Sequence, residues 1–311
     1  MQTLVTARLD HLFDGVTEIV LADMPDHPNV GDSAIAMGEF AYFRSSRIMV
    51  KSASAIGTVP SSTTTSQSAV ALHGGGNIGG LYGHHESHRK WLATHLRDDS
   101  LLIQLPQSIS FLNSKAQQDF LATVGARRNM RIAVRDNHSF EALTDSTATV
   151  SLSPDAFHAY GQVDSESPKE KFVVLARTDA ESATSGSEIK SLDWPEDKLL
   201  LRQSTRVRKH SGRIPGLSKV VNPSPRGWEK ISELRFRRGV SLLSRGETVV
   251  TDRLHGMLIG LQMGRKVVAI DNANQKLTRY AETWFGRTAP DLVFAKSFSE
   301  ALRLASGRTG N

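Results

Sequence analysis

The run from Glu247 to Asp271 restricts the possible folds more than any other stretch. Glu247-Thr248-Val249-Val250 is built of strand formers, and Thr251-Asp252-Arg253-Leu254-His255-Gly256 follows as a polar turn. Met257 to Gly264 is an apolar segment of helical length, and Lys266 to Asp271 is a second apolar run. The order is strand, turn, helix, strand. It puts Arg253 and His255 at a helix mouth beyond the C-terminal end of a strand. Ligands of open α/β sheets bind at that edge, and helix N-terminal amides favour an anion there. Taken alone, the segment fits a capped helix with surface basic residues equally well.

The pattern recurs along the chain. Val16 to Ala22 predicts a first strand, which runs into the turn-rich Met24-Pro25-Asp26-His27-Pro28-Asn29-Val30-Gly31-Asp32 and a helix over Ala34 to Phe40. Asn29 or Asp32 would cap that helix, and Gly31 would permit close approach of a ligand. Arg47 to Val50 predicts another strand, and Ser61 to Ser68, wholly Ser, Thr and Gln, predicts a loop. Ala69 to Leu72 predicts a strand ending in His73-Gly74-Gly75-Gly76-Asn77, with further glycines at 79 and 80. So many glycines would let successive amides cradle an anion. Neither the Walker lysine pattern nor the dinucleotide fingerprint is present. Tyr82, His84 and His85 follow as either ligand contacts or ordinary loop residues. Strands are expected at Leu101 to Leu105, Met130 to Val134 (ending at Arg135-Asp136) and Val150 to Leu152. Strand after strand ending in polar residues indicates an α/β fold rather than an antiparallel sandwich.

Gly161 to Lys171 reads as a linker, and Lys171 to Ala176 as the first strand of a second sheet. The expected division is 1–165, 166–295, and a last helix within 296–311 returning to the first domain. The two α/β layers are expected to face each other across a cleft. The net charge is +6, which favours anionic partners without selecting one. Positions 201 to 240 hold eleven Lys or Arg and two Glu. They lack the aromatic interleaving of a single-strand binder, so a solvated helix face is expected and no specific nucleic acid. Cysteine is absent, which excludes disulfides and thiolate chemistry. The first residues lack the order of a signal peptide, and no apolar stretch is long enough to span a bilayer. A cytoplasmic location is expected, at the inner face of the membrane, with peripheral membrane contact left open.

The ordered set Asn29-Val30-Gly31-Asp32, His73-Gly74-Gly75-Gly76-Asn77, Arg135-Asp136 and Arg253-Leu254-His255-Gly256 resembles the polysaccharide pyruvyl transferase family. Asn272 and Lys276 match its trailing polar positions, so the resemblance covers about residues 27 to 276. It implies two Rossmann-like domains in a glycosyltransferase-B-like arrangement. It also implies a phosphoenolpyruvate donor and no further cofactor. The implied acceptor is a sugar of a polysaccharide precursor, expected to be carried on lipid, and the implied product is a cyclic pyruvate ketal.

With that resemblance, His255 is expected as general acid/base. Arg253 is expected to stabilise the anionic donor, and Asp32 or Asp136 to assist the acceptor. Gly74 to Gly76 would place backbone donors near phosphate. Arg135 offers a forked guanidinium and Lys276 a less directional charge. Asn29, Gly31, His73, Asn77 and Asn272 complete the expected binding set. His73, His84, His85 and Asp32 lack metal-site spacing, so no metal is expected. A nucleotide-sugar glycosyltransferase, a noncatalytic carbohydrate-binding protein and a nucleic-acid-binding protein stay as rivals. None of them explains both Gly74 to Gly76 and the Arg253/His255 pair.

Overall fold

The computed structural model describes residues 1–177, 192–211, 214, 217, 221–271, 275–286 and 289–307. It contains two sheets in which every paired strand is parallel, each accompanied by helices. The first comprises β1 (Glu18–Leu21), β2 (Met49–Ala53), β3 (Ala69–Leu72), β4 (Gly75–Ile78), β5 (Leu102–Ile109), β6 (Met130–Val134) and β7 (Thr149–Leu152). Its order is β2-β1-β3-β5-β6-β7, with β4 also paired to β5. The central β5 is buried at every position, and the polar residues that interrupt its apolar ones are satisfied inside the protein: Gln104 and Gln107 both donate to the His73 carbonyl.

Two departures from the sequence reading sit on β5. The strand continues through Pro106 rather than ending at Leu105, and its register with β6 shifts between Gln104 and Gln107. A proline without an N–H is accommodated at such an irregularity. On the other side of β5, β3 pairs as far as Gln104 and β4 resumes at Gln107. His73 and Gly74 form the break between them. A β-carbon on Gly74 would lie 2.9 Å from the Pro106 carbonyl oxygen. The glycine-rich segment is therefore partly strand, not a loop.

Helices of this part include α1 (Gln2–Leu12), α2 (Val30–Ser45), α3 (Gly83–His95), α4 (Ser114–Leu121) and α5 (Asn137–Glu141). α1, absent from the sequence reading, buries Val5, Leu9 and Leu12. Its burial follows the i, i+4, i+7 face of a helix. Ser61–Thr65, expected as loop, is a short 3-10 helix in which Thr64 and Thr65 donate to carbonyls three residues back.

The second sheet has the order β11-β10-β9-β8, from β8 (Glu170–Leu175), β9 (Gly246–Thr251), β10 (Lys266–Ile270) and β11 (Leu292–Ala295). Between and after these strands come α6 (Leu199–Ser211), α7 (Pro225–Leu243), α8 (Leu254–Gln262), α9 (Lys276–Trp284) and α10 (Phe298–Ala305).

The chain divides into two compact units. One is Met1–His27, Ile35–Tyr160 and Asp197–Ser232; the other is Pro28–Ala34, Gly161–Glu196 and Glu233–Asn311. The main boundary falls at Tyr160/Gly161 rather than 165/166, and three further places differ from the expected division. Residues 197–232 belong to the first unit, because Arg208 of α6 is paired with Asp26 and Trp228 of α7 is buried, donating to the Ala53 carbonyl. Residues 28–34 belong to the second, where Val30 meets Gly239 and Gly31 meets His255. α10 packs Phe298 and Ala301 into the second sheet's core with Val250, Val268 and Ile270 instead of returning to the first domain.

Candidate functional site

The turn after β9 shows why its residues occur in that order. Thr251 accepts a hydrogen bond at Oγ1 from the Arg253 amide at 3.1 Å, tightening the turn. Asp252, buried, accepts at Oδ1 from the Arg177 amide at 2.9 Å and so ties the turn to the end of β8. Arg253 is the N-cap residue of α8, and its Nη2 donates to Asp193 Oδ1 at 2.5 Å. Its Nε is buried and has no hydrogen-bond partner among the described residues. Gly256 lets α8 press onto the sheet: a β-carbon there would lie 2.6 Å from Thr251 Oγ1 and 2.8 Å from Leu175 Cδ2.

His255 stands in the first turn of α8, partly exposed. Against it lies Gly31, where a β-carbon would come within 2.8 Å of His255 Nδ1. Asn29 Oδ1 accepts from the Gly31 amide at 2.8 Å, and its carbonyl accepts from the Ser33 amide, so Asn29 caps α2. Gly31 thus makes room for an imidazole of the protein. Asp32 lies in the first turn of α2. Lys276 opens α9 at the C-terminal end of β10, where Asp271 accepts from the Leu277 and Thr278 amides. Asn29, Gly31, Asp32, Arg253, His255 and Lys276 therefore all belong to the second unit. Asn272 lies outside the described residues.

The first unit carries His73 to Asn77, Arg135 and Asp136. Here one of the three expected cradle amides, that of Gly74, is engaged within the protein. The His73 amide donates to Asp23 Oδ1 at 2.5 Å and the Gly74 amide to Glu39 Oε1 at 2.8 Å. Asn77 N donates to Gln107 Oε1, and the Gly79 and Gly80 amides donate to Glu86 Oε1. The protein's own acceptors occupy these donors, as burial requires. The glycines serve the backbone path: Gly75, Gly79 and Gly80 have φ of 142°, 135° and 99°. Tyr82, His84 and His85 lie at the start of α3, with His85 Nδ1 3.3 Å from Asn77 Nδ2.

Arg135 and Asp136 are likewise engaged within the protein. Arg135 is buried, with Nη1 2.5 Å from Asp155 Oδ2 and Nε 3.2 Å from Ser108 Oγ. Asp136 is the N-cap of α5, accepting at Oδ1 from the Ser139 amide and hydroxyl and at Oδ2 from Ser108. These contacts fix the orientation of both side chains.

Behind His73 lies a buried polar layer that sequence reasoning missed. Glu39 Oε2 is 2.8 Å from His73 Nδ1. Arg89 donates to Gln104 Oε1 and to Asn77 Oδ1, and burial lowers its pKa. Burial pushes Asp23 up to about 6, opposed by nearby His73 and Arg89. Burial pushes His88 down to about 4, and its Nε2 donates to the Ala22 carbonyl at 2.8 Å. Glu39 had a readable signal: it interrupts the otherwise apolar Ala34-Ile35-Ala36-Met37-Gly38-Glu39-Phe40. Among the described residues, no three His, Asp or Glu side chains group as metal ligands.

Residues 29–274 match the family model described as polysaccharide pyruvyl transferase. The chain belongs to that family. A "Pyruvyl transferase 1" of Schizosaccharomyces pombe is 27% identical over 94% of this chain and 77% of its own length. The Bacillus subtilis protein EpsO is 28% identical over 89% of each chain. A crystal structure of a functionally uncharacterized protein from Klebsiella pneumoniae superposes with a TM-score of 0.65. It shares 17% identity over 94% of this chain and 97% of that one, a likeness of fold. Family membership supports a pyruvyl-transferase-type reaction on polysaccharide.

Proposed function

We propose that the protein transfers the pyruvyl group of phosphoenolpyruvate to two hydroxyls of one sugar in a polysaccharide precursor, closing a cyclic ketal and releasing phosphate. The carrying observation is the meeting of Gly31 with His255. Two motifs more than two hundred residues apart in sequence converge on one imidazole at the start of α8.

In this reading His255 delivers a proton to the methylene carbon of phosphoenolpyruvate while a sugar hydroxyl attacks the central carbon. The imidazole then accepts the hydroxyl's proton, which restores its starting form. The tetrahedral adduct carries the methyl, carboxylate, phosphate and sugar oxygen. A second hydroxyl displaces phosphate, which leaves with that hydroxyl's proton. Arg253 and Lys276 supply positive charge for the donor's carboxylate and phosphate, and the N-terminus of α8 adds to it. Asp193 sets the orientation of Arg253, and Asp32 is assigned to the acceptor hydroxyls.

Release of inorganic phosphate from phosphoenolpyruvate, required to depend on a saccharide acceptor, tests this function. Removing a general acid/base commonly costs ~10²–10⁴ in rate, so His255→Ala should lose that much with donor binding retained. A nucleotide-sugar glycosyltransferase would instead bind a nucleotide sugar saturably and leave phosphoenolpyruvate untouched.

A further inference from the structure

Among the described residues, α6 is anchored through Arg208 and Thr205. Arg208 points inward and donates through Nε and Nη2 to the two carboxylate oxygens of Asp26, at 2.8 and 2.7 Å. Its guanidinium carbon stands 5.1 Å from the ring centre of Trp228. Thr205, one turn earlier, donates to the same carboxylate at 2.7 Å. This buried pair fixes the rotation of the helix about its axis, and hence which residues face outward.

The outward side is chemically distinctive. Leu199, Leu200 and Val207 are 68%, 80% and 59% exposed. Leu200 and Val207 are seven residues apart and so share one line on the helix. Arg202, Arg206 and Lys209 are also exposed and, at i, i+4 and i+7, form a basic stripe, which lies about 140° round the helix from Leu200 and Val207, with Leu199 beside Arg206 between them. No acidic residue occurs in α6.

A helix whose exposed arc carries aliphatic side chains on one flank and basic ones on the other is suited to lie in a membrane interface, its apolar side chains in the headgroup–acyl boundary. The alternatives fit less well. A nucleic acid would use the basic stripe but gain nothing from three aliphatic side chains, and α6 has no aromatic ring for bases to stack on. A second copy meeting this one through α6 would bring like charges together. We propose that α6 docks the protein on an anionic lipid bilayer. Leu199, Leu200 and Val207 enter the interface, and Arg202, Arg206 and Lys209 face lipid phosphates. This inference stands independently of the pyruvyl-transfer reading.

The test is vesicle flotation of the full chain with phosphatidylcholine alone and with phosphatidylcholine containing phosphatidylglycerol. Two variants accompany the wild type: Leu199→Ser/Leu200→Ser/Val207→Ser, and Arg202→Gln/Arg206→Gln/Lys209→Gln. Melting curves establish that both variants fold. Wild type should float with the anionic vesicles only, and less at raised salt. The basic-stripe variant should partition about a hundredfold more weakly, at roughly fivefold per cationic side chain near the surface, and the aliphatic variant should also lose binding. Failure to float with anionic vesicles would overturn the proposal. So would equal flotation of wild type and both variants. A dimer that the aliphatic variant converts to monomer would overturn it in favour of self-association. Tight RNA binding, together with vesicle binding insensitive to the leucine substitutions, would overturn it in favour of general polyanion binding.

Discussion

Gly31 leaves no room for a side chain beside His255: a β-carbon at this position would stand 2.8 Å from Nδ1 and 3.1 Å from Cγ of the imidazole. Gly31→Ala should therefore push the ring out of place. Misplacement by about 1 Å can cost 10²-fold in rate, whereas overpacking costs about 1–3 kcal/mol in stability. The variant should fold, bind donor, and lose roughly 10²-fold in single-turnover rate. A full wild-type rate would detach Gly31 from the chemistry.

Asp193 should act through Arg253, whose Nη2 it holds at 2.5 Å. Asp193→Ala is predicted to weaken phosphoenolpyruvate binding by removing the contact that orients the guanidinium. Titration calorimetry reads this directly. Unchanged affinity, with Arg253→Ala impaired, would show that Arg253 is positioned without Asp193.

Much of the architecture was legible because buried parallel strands are written as short apolar runs. Ala69–Leu72 and Met130–Val134 match their predicted spans. The turn after β9 was legible because polar letters sit between apolar blocks, but it is shorter than the expected 251–256: Thr251 ends β9 and α8 begins at Leu254. The same logic failed at Pro106, where a register shift absorbs the missing N–H, and at Gly74, Gly79 and Gly80, whose amides composition suggested as open. What receives those amides, Glu39 and Glu86 for example, lies elsewhere in sequence. The depth of Arg135 and Arg208 was equally hidden. A basic residue reads as exposed until its partner, here Asp155 or Asp26, is known.

The buried layer at the first sheet's edge should mark the pH dependence of stability. Asp23 is raised from 3.8 to about 6, so its contribution is complete below the unfolded value and is lost as pH rises through about 6. His88 is lowered from 6.5 to about 4, so its contribution is complete above 6.5 and is lost as pH falls through about 4. The two oppose each other between roughly pH 4 and 6. Asp23→Asn removes only the first. Relative to wild type, that variant should gain stability as pH rises across the window, by up to roughly 3 kcal/mol at 1.36 kcal/mol per pKa unit. Urea unfolding at stepped pH measures it, and a flat difference between the two proteins would refute the assignment to Asp23.

Mass spectrometry of the product from purified protein, phosphoenolpyruvate and a defined saccharide acceptor tests the central claim most directly. The acceptor should gain the mass of pyruvic acid less one water, the signature of a ketal closed on two hydroxyls, with one inorganic phosphate released per product. His255→Ala should reduce that product by ~10²–10⁴ in initial rate. An acceptor of unchanged mass with phosphoenolpyruvate intact, or one enlarged by a sugar from a nucleotide sugar, would contradict the account.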